Sequence, residues 1–426
     1  MALRQANISQ WLQDEKGGEV EYAYPYFYLS WNPKDPEPIH QATWYREIPT
    51  GYPVAWKKTI RVGYRDICLC CSHNPPDSPT VGMFSGTVYD SFLKSHLQKA
   101  VRRKNARAAI YTADLLLEMS PIQLLRRLPI IVVEDSFLHE GFSTLIWMMC
   151  AVSSCAKVGQ NLFYLHEVQK RWVLGFVYQL VSVEFKEVAP DSCYSKKVVF
   201  NKSLGRIHAL PPKVRDLVYA LETRKVYGGM KGDEAMLSAF QNHYIDRFAR
   251  DESNGWDPEG LWKRSFYSPI RPVLCKRTPF GQNEWIYAGY DFHCSPNILT
   301  RLEEEYPDFE KEEFKACIWY CSSGRNYHRS VSFKGRKYVS VVDESVPRHL
   351  TDLWKKIRKF VRGKAWGYVN RMLEELNSLY PEWIPYTEPA PREPESQTNT
   401  GTTQDEEDHE EYECDEEERQ YIVSHS

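Results

Sequence analysis

The stretch "SHLQKAVRRKNARAAIYTADLLLEMSPIQLLRRLPIIVVED", residues 95–135, decides how this chain is read. Lys99, Arg102, Arg103, Lys104 and Arg107 all precede its first acid, Asp114. Leu93, Leu97 and Val101 recur every fourth residue with Ala100 beside them, the period of an amphipathic helix. A break is expected at Lys104 and Asn105. Beyond it, Ala106, Ala109, Ile110, Ala113, Leu116 and Leu117 make a second stripe. Ser120 followed by Pro121 is a start signal for a third helix, with Ser as N-cap and Pro at the first helical position. Pro129 should end or kink that helix. The apolar run 130–133 reads either as a strand or as a buried helix segment.

Working outward, residues 1–86 are rich in aromatics and proline. A short helix is expected around Ile8 to Asp14, then strands and loops, with "AWKKTIRVGYRDICL" (55–69) the best strand candidate. The aromatic run Tyr22, Tyr24, Tyr26, Phe27 and Tyr28 suits a core strand or a docking surface. Residues 140–185 read as two buried helices joined near 157–161, the second giving way to a strand. The apolar run 141–159 is short for a bilayer and rich in Ser and Gly, which favours a core helix. Further on, "NEWIYAGYDFHC" (283–294) alternates like a strand, "SPNILTRLEEEYP" and "EKEEFKACIWYCSS" pattern as helices, and "HRSVSFKGRKYVSVV" (328–342) resembles a hairpin. A long helix is expected over 349–379, then a Pro-rich linker. The expected class is α+β, predominantly helical. Its parts are an N-terminal β/loop region (1–86), a helical domain (87–250), an α+β domain (251–385) and a disordered acidic tail (386–426).

Charge is unevenly spread. The formal net charge is −3, but 386–426 holds 14 acids and two arginines. That leaves 52 basic and 43 acidic residues, a net of +9, in 1–385. An acidic run such as "QDEEDHEEYECDEEERQ" repels itself and buries nothing; it serves solubility or competes with nucleic acid for the basic body. Eleven scattered cysteines do not form a disulfide framework, and residues 1–18 show no apolar signal segment. An intracellular site, nuclear or cytoplasmic, is expected, with no membrane partner.

Lys99, Arg103 and Arg107 stand at steps of four, opposite Leu93, Leu97 and Val101, and Arg102 and Lys104 widen their face. "LTDLWKKIRKFVRGKAWGYVNRMLEEL" (350–376) sets Lys355, Lys356, Arg358, Lys359, Arg362 and Lys364 opposite Leu353, Ile357, Phe360 and Val361. Such helices suit nucleic acid, an anionic membrane surface or an acidic partner. Two of them in a basic body favour phosphate contacts by Lys99, Arg102, Arg103, Arg107, Lys355, Lys356, Lys359 and Arg362, with Arg126 and Arg127 from "LLRRLP". In "CSSGRNYHR" (321–329), Ser322, Ser323, Gly324, Arg325 and Arg329 either cradle a phosphate or mark an ordinary glycine helix end.

The segment 95–135, "LLRRLPIIVVED" above all, resembles the helical collar of the replication-associated recombination AAA+ ATPases, relatives of the clamp loaders. The resemblance spans about forty residues and implies a helical, oligomerising module at DNA. It does not imply ATP hydrolysis, because the chain contains no G-x-x-x-x-G-K-[ST]; "GGMKGDEAM" (228–236) has the wrong spacing.

Two further chemistries are open. His293 and Cys294 with Cys317 and Cys321 could close on a structural zinc, since 317 and 321 share a helix face; buried free thiols are the plainer reading. Cys68, Cys70, Cys71 and His73 are too tightly spaced to turn to one ion. Asp135 in "VVEDSFLH", Asp233 in "YGGMKGDE", and Asp291 with His293 in "GYDFHCS" could hold Mg²⁺ for phosphodiester cleavage if they converge. Glu134 and Asp135 serve equally as partners of Arg126 and Arg127. The leading expectation is a nucleic-acid-associated non-ATPase, an accessory or assembly factor in DNA replication, repair or recombination. It would act on DNA before RNA, and a homo-oligomer is the expected assembly. The alternatives are a metal-dependent phosphodiesterase and a scaffold that binds proteins.

Overall fold

The computed structural model of the chain describes residues 25–35, 39–63, 65–78, 87–102, 104–156, 163–183, 185–187, 193, 206–207, 209–229, 231–249, 261–275, 295–321 and 348–379. In chain order the strands are β1 (Tyr26–Leu29), β2 (Thr43–Tyr45), β3 (Trp56–Val62) and β4 (Arg65–Cys71). The helices are α1 (Thr87–Arg102), α2 (Ala106–Met119), α3 (Pro121–Asp135), α4 (Phe142–Ala156), α5 (Glu167–Ser182), α6 (Pro212–Val226), α7 (Lys231–Ala249), α8 (Leu261–Phe266), α9 (Ser295–Glu305), α10 (Lys311–Cys321) and α11 (Arg348–Leu379). The class is α+β and predominantly helical. The expected helix at Ile8 to Asp14, the strand at 283–294, the hairpin at 328–342 and the acidic tail lie outside the described residues.

Packing divides the chain at other places than composition suggests. One compact unit holds the described residues of 25–78 and 116–272; the other holds those of 87–115 and 273–379. The middle helices therefore belong with the N-terminal sheet, and the basic helix α1 belongs with the C-terminal helices.

In the first unit the sheet runs β2-β1-β4-β3, with β1 parallel to β4 and the outer pairs antiparallel. Alternation along the strands sends Phe27, Leu29, Trp44, Ile60, Ile67 and Leu69 into the core. Phe27 stacks on Trp44 at 4.0 Å. Helix α4 lies against this sheet: Trp147 Nε1 donates to Phe27 O at 2.8 Å, and Ala42 N–H donates to Thr144 Oγ1 at 2.8 Å. Residues 142–151 are buried on every side, as a mainly apolar helix must be, with Ser143 and Thr144 the polar positions among them. Among the described residues no helix is long and apolar enough to cross a membrane.

Helix α3 does not end at Pro129: it runs on to Asp135, so of the two readings of 130–133 the buried helix holds. An internal proline costs about 3 kcal/mol, and burial of Leu128, Ile130, Ile131, Val132 and Val133 outweighs it. Ser120 stands at the N-cap, but its side chain makes no capping bond; Pro121 starts the helix with its φ already set. A side-chain cap forms instead at α5, where a histidine supplies it. His166 Nδ1 accepts from Val168 N–H, and Gln169 Oε1 accepts from His166 N–H.

A segment at 268–272 crosses α5 where two side chains are missing. A Cβ at Gly175 would lie 2.0 Å from Arg271 O, and one at Gly141 would lie 2.4 Å from Ile270 Cδ1. His139 Nε2 donates to Ser268 O at 2.8 Å, and its Nδ1 accepts from Gly141 N–H at 2.9 Å. The ring is thereby fixed as neutral, and burial lowers its pKa to about 4.

In the second unit α1 ends where the sequence breaks. Asn105 N–H donates to Ala100 O and Lys104 N–H to Val101 O, the paired bonds of a Schellman motif, with Lys104 left-handed at φ 59°. Asn105 then caps α2, accepting from Ala108 N–H at 2.9 Å. On the C-terminal side Leu350, Leu353, Ile357 and Val361 of α11 close a core with Ile298, Leu299 and Leu302 of α9 and Phe314, Cys317 and Ile318 of α10.

Candidate nucleic-acid interface

The apolar stripe of α11 repeats at steps of three and four, so burying it leaves the other side of the helix to solvent. On that side Lys355, Lys356, Arg358, Lys359 and Lys364 are all exposed. Lys355 keeps 68 % of its side-chain surface and meets Asp352 at 3.6 Å. A pair this exposed contributes little and yields readily to another anion. Lys356 Nζ sits over the Phe309 ring at 5.3 Å and Lys364 Nζ over Phe360 at 5.4 Å, cation–π contacts that hold the ammonium groups in place while both residues stay exposed. Arg358 and Lys359 form no ion pair among the described residues. Arg362 lies on this helix, and its side chain is outside the described set.

The stripe at 99–107 is different. Lys99 and Arg102 keep only 4 % and 8 % of their surface, and the Lys99 ammonium donates to Ser95 Oγ at 3.0 Å. Arg107 is half-buried. The expected solvated cationic face is therefore absent at Lys99 and Arg102: charge spacing sets which side of a helix a residue takes, and packing covers that side here. Arg103, Arg325 and Arg329 lie outside the described residues.

Arg126 and Arg127 of α3 are half-buried and stand near a residue the sequence did not single out. Arg224 of α6 is buried, donating from Nη1 to Gly228 O at 2.8 Å and from Nη2 to Arg126 O at 3.2 Å. Arg126 lies over the Tyr227 ring at 5.9 Å. Burial first, and then the Arg126 charge, lower the pKa of Arg224, while Asp233 in the first turn of α7 works the other way. "LETRKVYGG" offered a single arginine in an ordinary helix end as its signal, which is why it went unread.

Of the proposed metal ligands, Asp135, Asp233 and Cys317 have described side chains. Asp135 is buried at the end of α3, and Asp233 is half-buried near Arg224. Among the described residues no three His, Cys, Asp or Glu groups come together to hold a metal ion. Asp291, His293 and Cys294 lie outside the described residues, as does the side chain of Cys321. Cys317 sits in the α9–α11 core with its thiol donating to Leu350 O at 3.3 Å, the geometry of a packing thiol. In β4 the crowded cysteines split by strand alternation. The sulfurs of Cys68 and Cys70 are 3.6 Å apart on one face, and Cys71 turns to the other and donates to His73 O. Burial pushes the Cys70, Cys71 and Cys150 thiols up to about 12, so they stay protonated at neutral pH.

One buried carboxyl escaped the sequence reading altogether. Asp216 of α6 points between the sheet and its helix, where Oδ2 accepts from Trp44 N–H at 3.4 Å and Oδ1 has no partner. Burial raises its pKa to about 7. Comparison with protein-family models, with curated proteins and with solved structures finds no match for this chain, so the reading of these sites rests on their own geometry.

Proposed function

We propose that the protein is a nucleic-acid-associated accessory or assembly factor, not an ATPase, and that it holds sugar-phosphate strands, DNA before RNA, on the outer face of α11. The observation that carries this reading is the exposed row Lys355, Lys356, Arg358, Lys359 and Lys364, in which Lys355 with Asp352 makes the one ion pair found among the described residues. The row lies on a helix whose other side is fixed in a core, so the cations are presented at little ordering cost. The +9 charge of residues 1–385 adds long-range attraction, and the likeness of 95–135 to a collar at DNA gives the direction toward DNA metabolism.

About four phosphate contacts imply a salt slope near −3.6, or roughly a 100-fold loss of affinity between 50 and 200 mM salt. Fluorescence anisotropy on a labelled 20-base-pair duplex and on a single strand of equal length reads this directly. Binding that ignores salt, or no binding at 50 mM, removes the proposal.

A further inference from the structure

Arg224 is a buried cation that no carboxylate among the described residues pairs directly. It keeps 4 % of its surface, and among the described residues it forms no ion pair. Its hydrogen bonds go to two main-chain carbonyls, and its Nε is buried with no acceptor. A guanidinium has five N–H donors, and a charge held this far from water is costly unless something neutralises it. The neighbourhood adds to the excess. Arg126 and Arg127 both act on Arg224 as like charges, and Asp233 is the one acid acting against them. Lys225, next along α6, is already taken by Glu222 and by Gln241 Oε1 at 3.0 Å.

The chain beside this excess is open. Gly228 is left-handed at φ 95°, and a Cβ there would meet nothing within 4 Å. A Cβ at Gly229 would meet only Arg224 Nη1 at 3.7 Å, Arg224 Nη2 at 3.8 Å and Asp233 Oδ2 at 3.7 Å. Gly229 is exposed, so the turn that borders the guanidinium opens to solvent. Helix α7, 19 residues long, begins at Lys231, and Asp233 of its first turn reaches the same point beside Gly229.

We infer that the Tyr227–Gly229 turn is a binding site for a phosphoryl group, held by the guanidiniums of Arg126 and Arg224 and by the amino end of α7. A tetrahedral dianion matches the planar donors of two arginines and supplies the charge that Asp233 alone leaves unbalanced. Such a group arrives either as free phosphate or pyrophosphate, or as the terminal phosphate of a nucleic-acid strand. The site lies wholly within the first unit and does not depend on the α11 interface.

The test uses the full chain and isothermal titration with pyrophosphate at constant ionic strength. Saturable binding is expected, weakened at least tenfold in Arg126→Gln and unchanged in a variant with Lys355, Arg358 and Lys359 reversed to Glu. Arg224→Gln should abolish it; if that protein does not fold, the Arg126→Gln result stands alone. A 5′-phosphorylated single strand compared with its 5′-hydroxyl counterpart distinguishes the two sources. No saturable binding by the wild type, or equal binding by Arg126→Gln, overturns the site. Loss of duplex binding with pyrophosphate binding intact instead overturns the α11 reading.

Discussion

Helix α1 holds Lys99 and Arg102 under cover, whereas α11 leaves Lys355, Lys356, Arg358 and Lys359 in solvent, although both set cations opposite an apolar stripe. Both helices belong to the same unit. The difference teaches that a cation row reports a helix's polarity and not its accessibility. On α1 the aliphatic stems are part of the packing, and the lysine head is satisfied by a serine one turn away. On α11 the heads remain hydrated, and only the apolar stripe is committed.

The largest effect should come from charge reversal on the open row. Replacing Lys355, Arg358 and Lys359 by Glu should lower duplex affinity by more than about 100-fold at 50 mM salt and flatten the salt slope by about three. Anisotropy titrations give both numbers, and the melting temperature should hardly move. An unchanged affinity would erase the contrast between the two helices.

A second effect concerns buried charge in its purest form. Asp216 has a folded pKa of about 7 against 3.8 for an open carboxyl. The folded state therefore binds the proton more tightly, and Asp216 takes stability away as pH rises from 3.8 to 7. Asp216→Asn keeps an acceptor for Trp44 N–H and should stabilise the protein at pH 8 by on the order of 3 kcal/mol, with little effect at pH 4. His139 works with the opposite sign. Its folded pKa of about 4, below 6.5, means that stability is lost as pH falls from 6.5 to 4. His243, also lowered to about 4 by burial, adds to the same window. Urea melts at pH 4, 6 and 8 separate the two; a D216N protein no more stable than wild type at pH 8 would show that the carboxyl is not confined.

Smaller still, Lys99→Ala should cost about 1 kcal/mol of stability through lost stem packing and leave duplex affinity within twofold. Lost affinity without lost stability would place α1 beside α11 as a binding element. The smallest change is Lys104→Gly, which relieves a left-handed lysine and should raise stability by roughly 0.5–1 kcal/mol. A fall in melting temperature would mean that the lysine side chain matters more than its backbone.

Much of the architecture was legible because apolar period is a local property. The stripe Leu353, Ile357, Val361 announced α11 with its exposed side, and "KN" at 104–105 announced the turn between α1 and α2. Pro129 misled because a proline penalty is local, while the burial that outweighs it comes from elsewhere in the fold. The parallel pairing of β1 with β4 joins segments some forty residues apart, and no short pattern encodes it. The sites divide in the same way. The α11 row is a property of one helix, whereas the isolation of Arg224 and Asp216 depends on what the rest of the unit fails to place beside them.

The crossing of 268–272 over α5 works like a key cut for one notch. It seats only where position 175 carries a lone hydrogen, since a carbon there would occupy space already held by the Arg271 carbonyl, whereas at 141 the tip of the Ile270 side chain can turn aside. A distant sequence that keeps the helices but has alanine at 175 must send this part of its backbone along another path. One letter of an alignment therefore suffices to sort sequences into those that share the crossing and those that do not.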